Sequence, residues 1–146
     1  MAVSCSGGPF VYSGSAYTPC SASVTGVGGL NEALPVSYGD NVNAGTATAS
    51  ATYAGDANHN GDAGSKTFAI AKADSQVTVD CPNSETYTGG AIEPCTASAT
   101  GAGGLDQPLS ISYSNNVNAG TASASASFDG DANHGGSNGS ATFAIS

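Results

Sequence analysis

The sequence predicts an all-β chain folded as two small sandwiches in tandem, and three observations carry that prediction. From Gly45 to Tyr53 the residues Ala47, Ala49, Ala51 and Tyr53 alternate with Thr46, Thr48, Ser50 and Thr52. Such a period of two places one face in a core and a hydroxyl ladder on the other, and the Thr and Tyr content favours extended backbone. The same stretch, Asn41-Val-Asn-Ala-Gly-Thr-Ala, returns as Asn116-Val-Asn-Ala-Gly-Thr-Ala and is again followed by Gly-Asp-Ala-Asn-His, at 55–59 and 130–134. Cys20 and Cys95, Leu30 and Leu105, Tyr38 and Tyr113, and Phe68 and Phe143 all stand 75 residues apart. Finally, the other alternating segments are short and separated by Gly, Pro, Asn and Asp, the signature of several strands and no helix.

In chain order, Ala2 to Ser6 reads as a first strand, broken at Gly7-Gly8-Pro9 and resumed over Phe10 to Tyr12. Pro19 to Thr25 is a second strand, with Cys20, Ala22 and Val24 inward. Gly26 to Gly29 is a loop, and Leu34, Val36 and Tyr38 alternate along a third strand that stops at Gly39-Asp40. The long alanine strand follows, then a turn from Gly55 to Gly64, and Lys66 to Ala71 closes the unit with Phe68 and Ile70 facing in. The second copy offers Val77, Val79 and Cys81; Cys95, Ala97 and Ala99; Leu109, Ile111 and Tyr113; Ala122, Ala124, Ala126 and Phe128; and Phe143 and Ile145 to its core. The boundary falls between residues 1–72 and 73–146. The segment Ile70-Ala-Lys-Ala-Asp74 has no Pro- or Gly-rich linker, so two units joined end to end with limited bending are expected.

Composition narrows the function. A net charge of −9, with Lys66 and Lys72 as the only Lys or Arg residues, lacks the basic footprint of a nucleic-acid binder and opposes attachment to anionic lipid. No apolar run is long enough to span a bilayer, and Met1 leads into Ala-Val-Ser-Cys without a basic or long apolar leader. The chain therefore reads as an excerpt of a longer exported protein, with Met1 an added start.

The four cysteines fall one pair per unit, Cys5 with Cys20 and Cys81 with Cys95. Pairing within each unit is the connectivity that treats both copies alike without crossing the boundary, and it implies an oxidising compartment. Zinc fits these spacings poorly, because no Cys-x-x-Cys or His pair accompanies them. A disulfide closing a loop of ~15 residues contributes about 3 kcal/mol in the chain-entropy account, a large share for a unit lined by alanine.

Tyr87-Thr-Gly-Gly-Ala-Ile-Glu-Pro94, Ser112-Tyr-Ser-Asn-Asn-Val-Asn-Ala-Gly-Thr-Ala122 and Phe143-Ala-Ile145 resemble the tandem bacterial immunoglobulin-like repeats of MBG type. Tyr53-Ala-Gly-Asp-Ala-Asn-His59 and Phe128-Asp-Gly-Asp-Ala-Asn-His134 look like the turn of related bacterial Ig-like repeats. The resemblance covers both units nearly end to end. It implies Ig-like β-sandwiches from a large exported or surface-attached protein, acting as stalks, spacers or adhesin modules. The cysteine pairs are not a general feature of such repeats.

Few residues offer chemistry. Asp56-Ala-Asn-His-Asn-Gly-Asp62 matches the opening of a calcium loop, with oxygen donors at Asp56, Asn58, Asn60 and Asp62, but its twelfth position is Thr67 where a bidentate Glu is needed. The competing reading is a hairpin tip in which Asp and Asn bond their own backbone. His59 and His134 lack the convergent groups of a zinc or nucleophilic site and read as locally bonded tip residues. Lys66 suggests a lysine–asparagine isopeptide bond, though Ala141 replaces it in the second copy. Asn138-Gly-Ser140 is a glycosylation sequon. The expected function is a non-catalytic spacer outside the cell or on its surface, flanked by like repeats, with no cofactor beyond a weak calcium site. The alternative is a module binding glycan or a surface protein through Gly26 to Ala33 and Gly101 to Pro108, or through the Ser/Thr face.

Overall fold

A computed structural model describes all 146 residues. The chain divides into two compact units, Met1–Lys72 and Ala73–Ser146. The first contains β1 (Ala2–Cys5), β2 (Phe10–Val11), β3 (Cys20–Gly26), β4 (Leu30–Leu34), β5 (Ser37–Gly39), β6 (Gly45–Tyr53) and β7 (Asp62–Ala71). The second contains β8 (Ser75–Asp80), β9 (Ser84–Glu85), β10 (Thr96–Gly101), β11 (Leu105–Pro108), β12 (Ser112–Ser114), β13 (Gly120–Phe128) and β14 (Ser137–Ile145). Helical backbone is confined to single 3-10 turns at Val27–Gly29 and Ala102–Gly104.

Both units share one topology. In the first, a three-stranded sheet runs β1-β3-β4 and a four-stranded sheet runs β2-β7-β6-β5; in the second the orders are β8-β10-β11 and β9-β14-β13-β12. All pairings are antiparallel except β2 with β7 and β9 with β14. The two sheets of the second unit meet across one core, in which Val77 and Ala99 from one sheet pack with Ala126 and Phe128 from the other. The alanine faces are buried as their alternation requires: Ala47, Ala49, Ala99 and Ala122 are fully enclosed, and Tyr53 and Phe128 close the same rows. An alanine on the inner face is short enough for the opposite sheet to approach closely, which is how a thin core reaches close packing.

Two strand assignments from the sequence are corrected by the structure. The stretch Leu34–Tyr38 is not one strand. β4 already starts at Leu30, and the chain leaves the three-stranded sheet after Leu34, passes through Pro35-Val36 and joins the other sheet as β5. Proline has no N–H for a ladder, so the break falls where the chain must change partners. The segment Phe10–Val11 likewise does not continue β1. After Gly7-Gly8-Pro9 it crosses to the other sheet and runs parallel to β7, with Phe10 opposite Ile70.

β7 also begins four residues earlier than Lys66, so Asp62 to Gly64 are strand rather than turn. Gly64 and its counterpart Gly139 are strand glycines because another strand crosses closely above them. A Cβ at Gly139 would lie 2.8 Å from the Val77 carbonyl oxygen and 3.2 Å from its Cγ1. At Gly64 it would instead meet side-chain atoms, Met1 Cγ at 3.0 Å and Val3 Cγ2 at 3.4 Å.

The disulfides are Cys5–Cys20 and Cys81–Cys95. Cys5 and Cys20 are direct cross-strand partners of β1 and β3, so the bond lies within one sheet. The disulfide of antibody domains, by contrast, joins two sheets.

Gly139→Ala should lower stability by about 1–3 kcal/mol, since rigid backbone blocks the new methyl. Gly64→Ala should cost less, because the new methyl meets side-chain atoms rather than backbone. Urea denaturation of the two variants checks the ranking, and equal effects would contradict the crossing geometry.

Candidate functional site

The polar residues that recur in both units are the candidates for function, and the structure places each of them in detail. The Gly-Asp-Ala-Asn-His segments form the loops between β6 and β7 and between β13 and β14. Asp56 Oδ1 accepts the backbone N–H groups of Asn58 (2.8 Å) and His59 (2.7 Å), the arrangement by which an aspartate folds a turn on itself. Its carboxylate also meets His59 Nδ1 at 2.9 and 3.1 Å, and Oδ2 accepts the Tyr53 hydroxyl at 2.9 Å. Asp131 repeats the pattern with Asn133 (2.8 Å), the His134 N–H (2.7 Å) and His134 Nδ1 (2.9 Å).

Each histidine reaches beyond its own loop. His59 Nε2 lies 2.8 Å from the Val27 carbonyl oxygen, and His134 Nε2 lies 2.7 Å from that of Ala102. Both carbonyls belong to the 3-10 turn leading into the last strand of the opposite sheet. The sequence predicted a locally bonded tip residue, which Asp56 and Asp131 satisfy. It did not reveal the second partner, 32 residues away.

The electrostatics follow from these contacts. The Asn58 N–H, then His59 and the Tyr53 hydroxyl, hold the Asp56 carboxyl down to about 2. Asp131 is lowered chiefly by the Asn133 N–H. The Tyr53 phenol is raised, first by removal from water and then by its bond to Asp56. Both histidines are raised, first by the carbonyl at Nε2, with the aspartate adding to the effect.

Of the four oxygen donors proposed for calcium, the two aspartates are engaged in separate tasks. Asp56 is engaged as described, and Asp62 sits in β7 opposite Tyr53, where it accepts its neighbour Ala63 N–H at 2.8 Å and lies 3.4 Å from the Met1 amine. Asn58 and Asn60 are exposed loop residues. No group of three or more His, Cys, Asp or Glu side chains is gathered anywhere in the chain.

Asn41 and its counterpart Asn116 also tie the fold together. Asn41 Nδ2 donates to the Tyr17 carbonyl (2.8 Å) while Tyr17 N–H donates to the Asn41 carbonyl (2.9 Å), and Asn116 makes the same reciprocal pair with Ile92. Tyr38 binds both backbone groups of Cys20, accepting its N–H at 2.8 Å and donating to its carbonyl at 3.0 Å, and Tyr113 does so with Cys95. These ties anchor the start of β3 beside the disulfide.

Lys66 is exposed on β7 opposite Ala49, so its register brings no asparagine to it. The outward Thr46, Thr48, Ser50 and Thr52 are exposed, and β7 adds Ser65 and Thr67 to the same face. In the second unit this face borders a groove of about 910 Å³ whose walls include Gln107, Ser112, Ser125, Ser127, Asn138 and Ser140. The segments 26–33 and 101–108, read from the sequence as loops, are instead the 3-10 turns together with β4 and β11.

No family model, curated protein or solved structure matches the chain. No helix is long and apolar enough to cross a membrane.

A carboxylate whose folded value lies below its ordinary range stabilises the fold above that range, and the contribution fades as pH falls toward the folded value. The melting temperature should therefore fall between about pH 4 and 2, and more shallowly in Asp56→Ala. Because Asp56 is already saturated with donors, millimolar calcium should leave the wild-type melting temperature unchanged. A rise would support the calcium site.

Proposed function

We propose that this chain is a pair of Ig-like β-sandwich modules serving as a non-catalytic spacer of an extracellular or cell-surface protein, flanked by further modules of the same kind. One observation carries the reading. The polar side chains that recur in both copies, Asn41, Asp56, His59 and Tyr38 with their counterparts, are engaged by the protein's own backbone and by each other. A residue set kept for substrate would present unpaired groups to a cleft. Paired cysteines fit an oxidising, extracytoplasmic setting. The resemblance to bacterial Ig-like repeats supports the same assignment at the level of sequence.

A second reading has one observation in its favour. The groove beside Gln107 and Ser125 is lined by hydroxyl and amide groups and carries no charged side chain among its walls, a surface suited to a neutral saccharide.

The two readings part on a glycan array. A spacer should give no saturable binding on the array. It should also lengthen on reduction, because the 15-residue separation closed by Cys5–Cys20 becomes extensible and adds roughly 50 Å to the first unit's unfolded contour. Saturable binding to a glycan, abolished by Ser125→Trp in the groove, would favour the second reading and defeat the first.

A further inference from the structure

His134 is the one side chain in residues 73–146 that can carry a positive charge, since this unit contains no Lys or Arg. Its ring is nonetheless buried, at 5% exposure. Both ring nitrogens face oxygens that accept and do not donate. A backbone carbonyl, that of Ala102, lies 2.7 Å from Nε2, so Nε2 must carry a hydrogen. The Asp131 carboxylate lies 2.9 and 3.1 Å from Nδ1. Asp131 Oδ1 already accepts two backbone N–H groups, which keeps the carboxylate ionised, so Nδ1 must carry a hydrogen as well.

We propose that His134 is a proton-operated clamp: as an imidazolium it ties the β13–β14 loop to the 3-10 turn between β10 and β11, and loss of its proton releases that turn. A neutral imidazole has one N–H and one lone pair. It keeps one of the two contacts and sets a lone pair against oxygen at the other. The lone pair falls at the Ala102 contact when Nδ1 keeps its hydrogen, because a bond to the ionised Asp131 carboxylate is stronger than one to a neutral carbonyl.

The surroundings are arranged for the charged form. Gly101 leaves room for the ring, as a Cβ there would lie 3.0 Å from His134 Cδ2. The loop is held from its other side by the Ala73 N–H to the Asn133 carbonyl (2.9 Å) and the Gly135 N–H to the Ala73 carbonyl (2.8 Å). Of the elements around the ring, the loop carries Asp129 and Asp131, the 73–75 segment carries Asp74, and the 101–104 turn carries no titratable side chain. Every charged group on these elements is thus an acid, and Asp131, in direct contact, favours the cation.

The clamp closes the end of the unit that the disulfide leaves free. Gly101 pairs with Ser75 at one end of the β8–β10 ladder, and Cys81–Cys95 lies beyond Asp80 and Thr96 at the other. His134 has its folded pKa raised, so its contribution is complete below the unfolded value and lost as pH rises through the folded one.

Nitrogen-15 spectra of the full chain, labelled at histidine, test the proposal together with amide exchange at residues 101–104 corrected for intrinsic rate. At and below the ordinary histidine value of about 6.5 both His134 ring nitrogens should be protonated. Above the His134 midpoint, exchange in the turn should accelerate at least tenfold. His134→Gln should show fast exchange at every pH. If that variant fails to fold, Asp131→Asn serves instead and should move the His134 midpoint down towards the ordinary histidine value. A neutral single tautomer in the folded protein at or below about pH 6.5 would overturn the clamp, as would turn exchange that ignores the titration.

Discussion

Each unit depends on the close approach of two sheets lined by alanine. An alanine methyl removes little apolar surface from water compared with a leucine or phenylalanine, so rows such as Ala47, Ala49 and Ala51 contribute modestly per residue to the hydrophobic driving force. What they permit is proximity, with Val77 crossing directly over Gly139. A fold built this way has little apolar burial in reserve and relies on ties of other kinds. The disulfide fixes β1 to β3, the Tyr38 hydroxyl saturates both backbone groups of Cys20, and the histidine joins the two sheets at the far end. Covalent and polar ties thus stand at opposite ends of a core that is thin between them.

Much of this was legible in the sequence. The alternation over residues 45–53 fixed which side chains face inward, because the side-chain period of a strand leaves only two choices and alanine against threonine decides between them. The spacing of four cysteines in two equivalent units sufficed to pair them. Partner choice was harder to read. Pro35 marks a break, but nothing in Phe10-Val11 or Leu34-Pro35-Val36 says which sheet the chain joins next, since residues of either sheet show the same inward pattern. Gly64 looked like a turn residue because glycine marks both turns and close crossings, and only the strand above it tells the two apart.

The loops show the same limit at the level of single side chains. Asp-Ala-Asn-His-Asn-Gly-Asp has the residue types of a metal loop, but the direction of each oxygen decides its use, and Asp56 turns inward to the backbone of its own loop. Its histidine could be read as local because one of its partners is local. The other is a main-chain carbonyl, which carries no sequence signal whatever the residue bearing it: Val27 in one unit and Ala102 in the other. Conversely, the asparagine that recurs as Asn41 and Asn116 acquires a physical reason in the reciprocal bonds of Asn41 with Tyr17.

The short strand β2 carries a mechanical consequence. It lies near the start of its unit, it pairs in parallel with β7 at the unit's end, and the Tyr12 N–H extends the ladder to the Ala71 carbonyl. Tension drawing the unit's two ends apart pulls these neighbours along their own length in opposite directions. The bonds between them are then loaded in shear, to be broken together, rather than peeled one after another like a zipper.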